Sequence, residues 1–150
     1  MAGRLAGVRS EAILLRRTDY AEADRIVLLL TAERGRVSVL ARGARSSRKR
    51  FGAALEPFQI IEVAFAEGRG ELGTLREARV LRAFPRLAAD LTAMTVAGEA
   101  IERLRGVLPD HHPEPRALGA LADLFGLLDE GRDVETAAVR FELRVLAVLG

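Results

Sequence analysis

The chain has 150 residues, 49% of them hydrophobic and 29% charged, with 23 Lys/Arg against 21 Asp/Glu for a net charge of +2. That composition belongs to a globular chain and not to a disordered one, and its length suits one ordinary domain or two small ones sharing a core. No apolar run approaches the length of a membrane span, the N-terminus lacks the apolar core of a signal peptide, and the absence of cysteine excludes disulfides, thiol catalysis and thiolate zinc sites. The default is therefore a cytoplasmic protein with no membrane partner. The net charge conceals an asymmetry: residues 1–80 hold 15 Lys/Arg and 10 Asp/Glu, whereas residues 81–150 hold 8 and 11.

In chain order, residues 8–17 are apolar at Ala12, Ile13, Leu14 and Leu15 and read as a first strand, stopped at Thr18-Asp19. Residues 20–24 read as a turn. The unbroken apolar run of Ile26, Val27, Leu28, Leu29 and Leu30 favours a second strand over a helix. After a turn at residues 33–36, Val37, Val39 and Ala41 alternate with Ser38, Leu40 and Arg42, the clearest period of two in the chain. A fourth strand follows Pro57, with Ile61, Val63 and Phe65 on one face, and a fifth covers residues 71–80.

Beyond Leu81 the period changes. Leu87, Leu91, Met94, Ile101, Leu104 and Leu108 predict one helix running to about Arg105, with Gly106 as its stop. Residues 109–115, with three prolines, form a loop. A second helix buries Leu118, Leu121, Phe125 and Leu128 and ends at Gly131; Asp133 caps a third with a stripe of Val134, Ala138, Phe141, Val145 and Val148. Leu143, Leu146 and Leu149 make that last helix apolar nearly all round, so it is expected to be covered on several sides, by further chain or by a partner.

The stretch RGARSSRKR at residues 42–50 carries the functional reading. No acidic residue stands between Glu33 and Glu56, while Arg34, Arg36, Arg42, Arg45, Arg48, Lys49 and Arg50 are all basic. Gly43 and the Ser46-Ser47 pair break any helix there and place the charges on an exposed loop. Arginine forks and serine hydroxyls match phosphate oxygens without reading a base. A basic run is also often no more than a solvated surface, and both readings stand on charge alone. Five short strands with a basic loop suggest a small barrel that binds nucleic acid, with Tyr20 and Phe51 placed in loops to stack on bases and Phe58 and Phe65 in the core.

Other chemistry fares poorly. Asp19, Glu22 and Asp24 are better read as a polar turn than as a metal site, His111-His112 as a solvated loop, and the glycines at 43, 68, 70 and 73 match no phosphate loop. No nucleophile stands beside a base, so the chain is not expected to be an enzyme.

Residues 11–65, with the Tyr20/Glu22/Asp24 cluster, Thr31, Gly35, Gly43 with its basic tail and Leu55-Glu56-Pro57-Phe58, resemble the N-terminal signature of the bacterial RecO recombination-mediator family; FELRVLAVLG at residues 141–150 is similar to a helix that precedes that family's last module. The resemblance implies an α+β protein: an OB-type five-stranded barrel over residues 1–80 and a helical domain over 81–150, the latter shorter than the family's. It implies binding of single- and double-stranded DNA, strand annealing and, with the partner RecR, loading of RecA onto DNA coated by single-strand-binding protein, whose acidic tail such proteins contact. It implies a non-enzymatic protein of the bacterial cytoplasm, associated with the nucleoid. DNA contact falls on Arg42, Arg45, Arg48, Lys49 and Arg50, then on Arg34 and Arg36. The family's four-cysteine zinc module has no counterpart among these residues, so no cofactor is expected. Two alternatives remain at this point: an adaptor whose basic loop meets an acidic protein, and an RNA-binding OB module.

Overall fold

The computed structural model describes residues 7–46 and 49–150. Five strands come first: β1 (Gly7–Tyr20), β2 (Asp24–Thr31), β3 (Gly35–Ala41), β4 (Ile60–Ala66) and β5 (Leu72–Arg82). They close into a barrel in the order β1-β2-β3-β5-β4, antiparallel except where β3 meets β5. Helices α1 (Pro85–Ala88), α2 (Leu91–Val107), α3 (Pro115–Asp129) and α4 (Val134–Leu149) follow. This is the expected five-stranded OB-type barrel followed by a helical part.

Alternation explains the barrel. Val27 and Leu29 of β2, Val37 and Val39 of β3, and Ile61, Val63 and Phe65 of β4 all point inward and are buried. The segment after β3 turns back into the open end of the barrel, where Phe51, Ala54 and Leu55 join the same core. Phe51 is therefore no stacking residue in a loop, being only 4% exposed. Burying a phenylalanine is worth about 1.5–3 kcal/mol, which a ring held in water for a base would forgo.

Strand β1 serves two cores. Ala12 and Leu14 face into the barrel, whereas Ile13 and Leu15 face outward and pack with Leu30 and Ile60 against Phe84, Leu87, Leu121 and Phe125 of the helical part. A bulge between Leu14 and Arg16 sets Arg16 opposite Leu28, Thr18 opposite Ile26 and Tyr20 opposite Asp24. Tyr20 is thus the last residue of a strand, not part of a loop. Phe58 is half-buried, at φ 63°, and its ring meets Phe125 edge-on at 6.0 Å.

The single helix expected from Leu87 to Arg105 is two. The first ends at its C-cap Ala89, and Asp90 opens the second by accepting from the Ala93 N–H at 3.1 Å, which leaves Leu91 77% exposed at the outer start of α2. Gly106 lies inside α2, which stops one residue later. The short α1 is held by Asp129 of α3, which accepts from the N–H groups of Arg86 and Leu87. Asp133 caps α4 as expected, but that helix buries Ala137, Phe141 and Val145, with Val134, Ala138 and Val148 only half-covered. Val139, Leu143, Leu146 and Leu149 form an exposed apolar stripe. Among the described residues, no helix is long and apolar enough to cross a membrane.

The β2–β3 turn locks the barrel to the helices. Thr31, fully buried, donates from its hydroxyl to the Gly35 carbonyl at 2.8 Å and accepts from the Arg34 N–H at 3.0 Å. Gly35 takes φ +67° directly under the backbone of His112, where a Cβ would collide with the His112 carbonyl. Beside it, Arg36 donates to Asp110 at 2.7 Å and to the Arg105 carbonyl in the last turn of α2, while its own carbonyl accepts from the His111 N–H at 2.9 Å. Gly35→Ala is accordingly expected to cost at least about 2 kcal/mol in urea unfolding, since both the backbone conformation and the close approach forbid a side chain. Arg36→Ala, which removes one half-exposed ion pair and one carbonyl partner, should cost about 1–2 kcal/mol in the same measurement.

Candidate nucleic-acid interface

The basic loop is anchored at both ends. After β3 the chain turns at Gly43 (φ +73°), whose N–H donates to Asp24 at 2.8 Å, and the Arg45 N–H donates to the Ala23 carbonyl at 2.9 Å. Asp24 thereby serves as a backbone staple between two turns. Among the described residues, no cluster of three or more His, Asp or Glu side chains is placed to hold a metal ion. At the far end the loop is fixed by Phe51 in the barrel core, and the Arg50 guanidinium lies over that ring at 5.3 Å.

The seven basic residues singled out in the sequence divide by what they touch. Arg42, Lys49 and Arg50 are exposed and have no ion-pair partner among the described residues. Arg45 leans back on the first turn, 3.6 Å from Asp19 and donating to the Ala21 carbonyl. Arg34 pairs with Glu67 at 3.2 Å, and Arg36 is the clamp to α2 described above. Arg48 lies outside the described residues. The structure thus brings Arg42, Arg45, Lys49 and Arg50 onto one end of the barrel and sets Arg34 and Arg36 at the other end of β3.

Around the barrel wall the charges are arranged unevenly. On the β1–β4–β5 side, Arg9 pairs with Glu62 at 3.3 Å and Glu77 at 3.0 Å, and Arg79 pairs with Glu62 at 2.9 Å. A hydrogen bond from Arg79, with Arg9 adding to it, holds the Glu62 carboxyl below its usual range, and Glu77 in turn raises the Arg9 guanidinium. That side neutralises itself. On the β1–β2–β3 side, cross-strand pairing lays Thr18, Ile26, Leu40 and Thr74 in one row and Arg16, Leu28, Ser38 and Leu72 in the next. Arg16 has no ion-pair partner among the described residues, and Tyr20 is 51% exposed at the edge nearest the basic loop. Sequence reading missed Arg16, Ile26 and Leu40 because the bulge in β1, which aligns their faces, leaves no mark in the pattern of residues. The alternation of Leu40 with Val39 and Ala41 was the one available signal.

Comparison with known proteins follows these boundaries. The family model described as "Recombination protein O N terminal" matches residues 5–84, and that described as "Recombination protein O C terminal" matches residues 88–150. DNA repair protein RecO of Anaeromyxobacter dehalogenans strain 2CP-C is 42% identical over 144 residues, covering 95% of this chain and 57% of its own length. The RecO of Geobacter metallireducens is 40% identical over 146 residues, covering 97% and 59%, and that of Myxococcus xanthus 36% over 140 residues, covering 93% and 57%. The chain therefore spans somewhat less than three fifths of the length of these curated relatives. With both family models matched in order across a closed barrel and the helices behind it, the chain belongs to the RecO family of DNA repair proteins.

Proposed function

We propose that this chain is the DNA-binding portion of a non-enzymatic recombination mediator that acts in the bacterial cytoplasm on single- and double-stranded DNA. The observation that carries this reading is the anchored loop: Arg42, Lys49 and Arg50 project from a turn pinned by Asp24 and Phe51, with no carboxylate to answer them among the described residues. A fixed set of cations without partners gains counterion-release free energy from a phosphate backbone without first breaking an ion pair. Arg45, already near Asp19, contributes less. Contacts of this kind carry no base information, so affinity is broad in sequence and steep in salt. Masking the phosphates of two strands at once lowers their repulsion and favours annealing, and the mediator role extends this to RecA loading with RecR on DNA coated by single-strand-binding protein, without a cofactor.

The test is fluorescence anisotropy of labelled DNA across a salt series. Replacing Arg42, Arg45 and Arg50 together by alanine should weaken binding to single strands and duplexes alike by about ten-fold or more, and make the log–log salt slope shallower by about 2. Arg36→Ala, whose side chain is spent on α2, should leave that slope unchanged. Unaltered DNA binding in the triple variant, with loss of a protein partner, would assign the loop to an adaptor role, and stronger binding to matched RNA than to DNA would move the substrate class.

A further inference from the structure

The mouth of the barrel, inside the turn of the basic loop, holds a cavity that the loop cations do not account for. Alternation in β2 turns Arg25 to the same side as Val27 and Leu29, toward the barrel end and away from the outer wall. Its cross-strand neighbours in that row are Asp19 of β1 and Ala41 of β3. The chain passes this row twice more, as the turn at Ala44 and Arg45 and as the plug that begins at Phe51. These segments enclose a pocket of about 290 Å³ bordered by Arg25, Arg45, Phe51, Gly52, Ala53 and Glu56. Asp19 answers two guanidinium groups at once, accepting from Arg25 Nε at 3.1 Å and lying 3.6 Å from Arg45 Nε. Arg45 spends one further N–H on the Ala21 carbonyl, while neither Nη of Arg25 has a hydrogen-bond partner among the described residues. Glu56, the other carboxylate at the pocket, is paired with Arg17 at 3.2 Å. One positive charge is left over, on guanidinium groups held in place at the mouth.

We infer that this pocket binds a phosphomonoester, the terminal phosphate of a DNA strand or of a free mononucleotide. The DNA-binding reading above bears only on which of these sources supplies the phosphate. The Arg25 side chain is 26% exposed, and a guanidinium so far covered costs free energy while part of its fork is unanswered. An anion in the pocket removes that cost, and guanidinium forks match phosphate oxygens with two parallel hydrogen bonds. A phosphomonoester carries a charge of about −1.5 to −2 at neutral pH and three acceptor oxygens, more than a phosphodiester offers. Shape points the same way. Phe51, buried in the barrel core, closes the inner side, so a group can enter and leave only through the mouth. A strand continuing in both directions cannot thread such a pocket, whereas a strand end can enter it. The volume falls below the roughly 300–1,000 Å³ of sites that enclose a drug-sized ligand, which suits a phosphate with its sugar and leaves the base outside. Binding is therefore indifferent to the identity of the base. Arg42 and Arg50 do not line the pocket, so loop and pocket are separable by mutation.

The experiment titrates the 150-residue chain with two single strands of about 12 nucleotides, identical except for a 5′-phosphate or a 5′-hydroxyl and labelled at the 3′ end. In parallel, calorimetry measures thymidine 5′-monophosphate, with thymidine as the control. The phosphorylated strand is expected to bind about ten-fold more tightly than the other, and the monophosphate to bind where thymidine does not. Arg25→Gln should reduce the advantage of the phosphorylated strand to less than about two-fold and leave the hydroxyl strand within about two-fold of wild type. Ala53→Leu fills the mouth from an exposed position outside the core and should do the same. Arg42→Ala/Arg50→Ala should weaken both strands alike and preserve their ratio. A preference that needs Arg25 and is abolished by excess monophosphate assigns the site to DNA ends. Monophosphate binding that needs Arg25, with equal affinity for the two strands, assigns it to a free nucleotide. Equal strand affinities with no binding of the monophosphate, or a preference that survives in folded Ala53→Leu, would overturn the pocket while leaving the loop as a DNA site. A folded chain that bound the monophosphate but neither strand would instead remove the DNA-binding reading alone.

Discussion

Everything in this molecule hangs on how β1 is paired. It hydrogen-bonds to β4 over its first half and to β2 over its second, so one strand both closes the barrel and faces the helices. A period of two allows this: Ala12 and Leu14 fill the barrel while Ile13 and Leu15 are left for a second core, and only the helices can cover them. Without the extra residue at the bulge, Leu15, Arg17 and Asp19 would face the outer wall in place of Arg16, Thr18 and Tyr20. Register here decides chemistry as well as packing, because a slip of one residue exchanges the two faces. Arg17 shows the other side of the same choice: turned toward the barrel end, it donates to the Leu55 carbonyl at 2.9 Å and pairs with Glu56 at 3.2 Å, helping to seat the plug that Phe51 begins.

The charges matter less by number than by what remains unpaired. A net +2 on 150 residues predicts no strong partner. Exposed ion pairs such as Arg9 with Glu77 contribute little to stability, but they remove both members from the field a ligand meets. Subtracting the paired side chains leaves a gradient around the barrel, from Arg9, Glu62, Glu77 and Arg79 answered among themselves on the β1–β4–β5 side to cations without partners at the loop beside β3. A polyanion would be oriented by that gradient before any close contact forms.

Much of this was legible in the sequence where one rule acted alone. Alternation in residues 37–42 located β3, proline and apolar alternation located β4, and Asp133 marked the start of α4. Reading failed where two rules competed. The leucine stripe of residues 87–108 continued in phase across a break at which Asp90 opens a new helix through a single side-chain hydrogen bond, so periodicity outvoted a cap. Phe51 lay in a basic, glycine-bounded segment and looked like loop, yet barrel ends need filling, and the nearest large apolar side chain was drawn in. Arg34 and Arg36 counted toward a basic cluster although β3 carries them to the opposite end from residues 42–50, and the partners that engage them, Glu67 and Asp110, are 33 and 74 residues away. Nothing local could have revealed those pairings.

Composition places a boundary near residue 80, but packing does not respect it as a line of separation. Phe84 shares one cluster with Ile13, Leu15, Leu30 and Ile60, and Phe58 meets Phe125 across the same junction. A barrel without the helices would expose four large aliphatic side chains on its wall and would lose the contacts under Gly35 and Arg36 at once. The helices therefore do more than follow the barrel. By covering the outer face of Ile13 and Leu15 up to the bulge, they leave the wall from Thr18 to Tyr20 open, next to the longest stretch of the chain without an acidic residue.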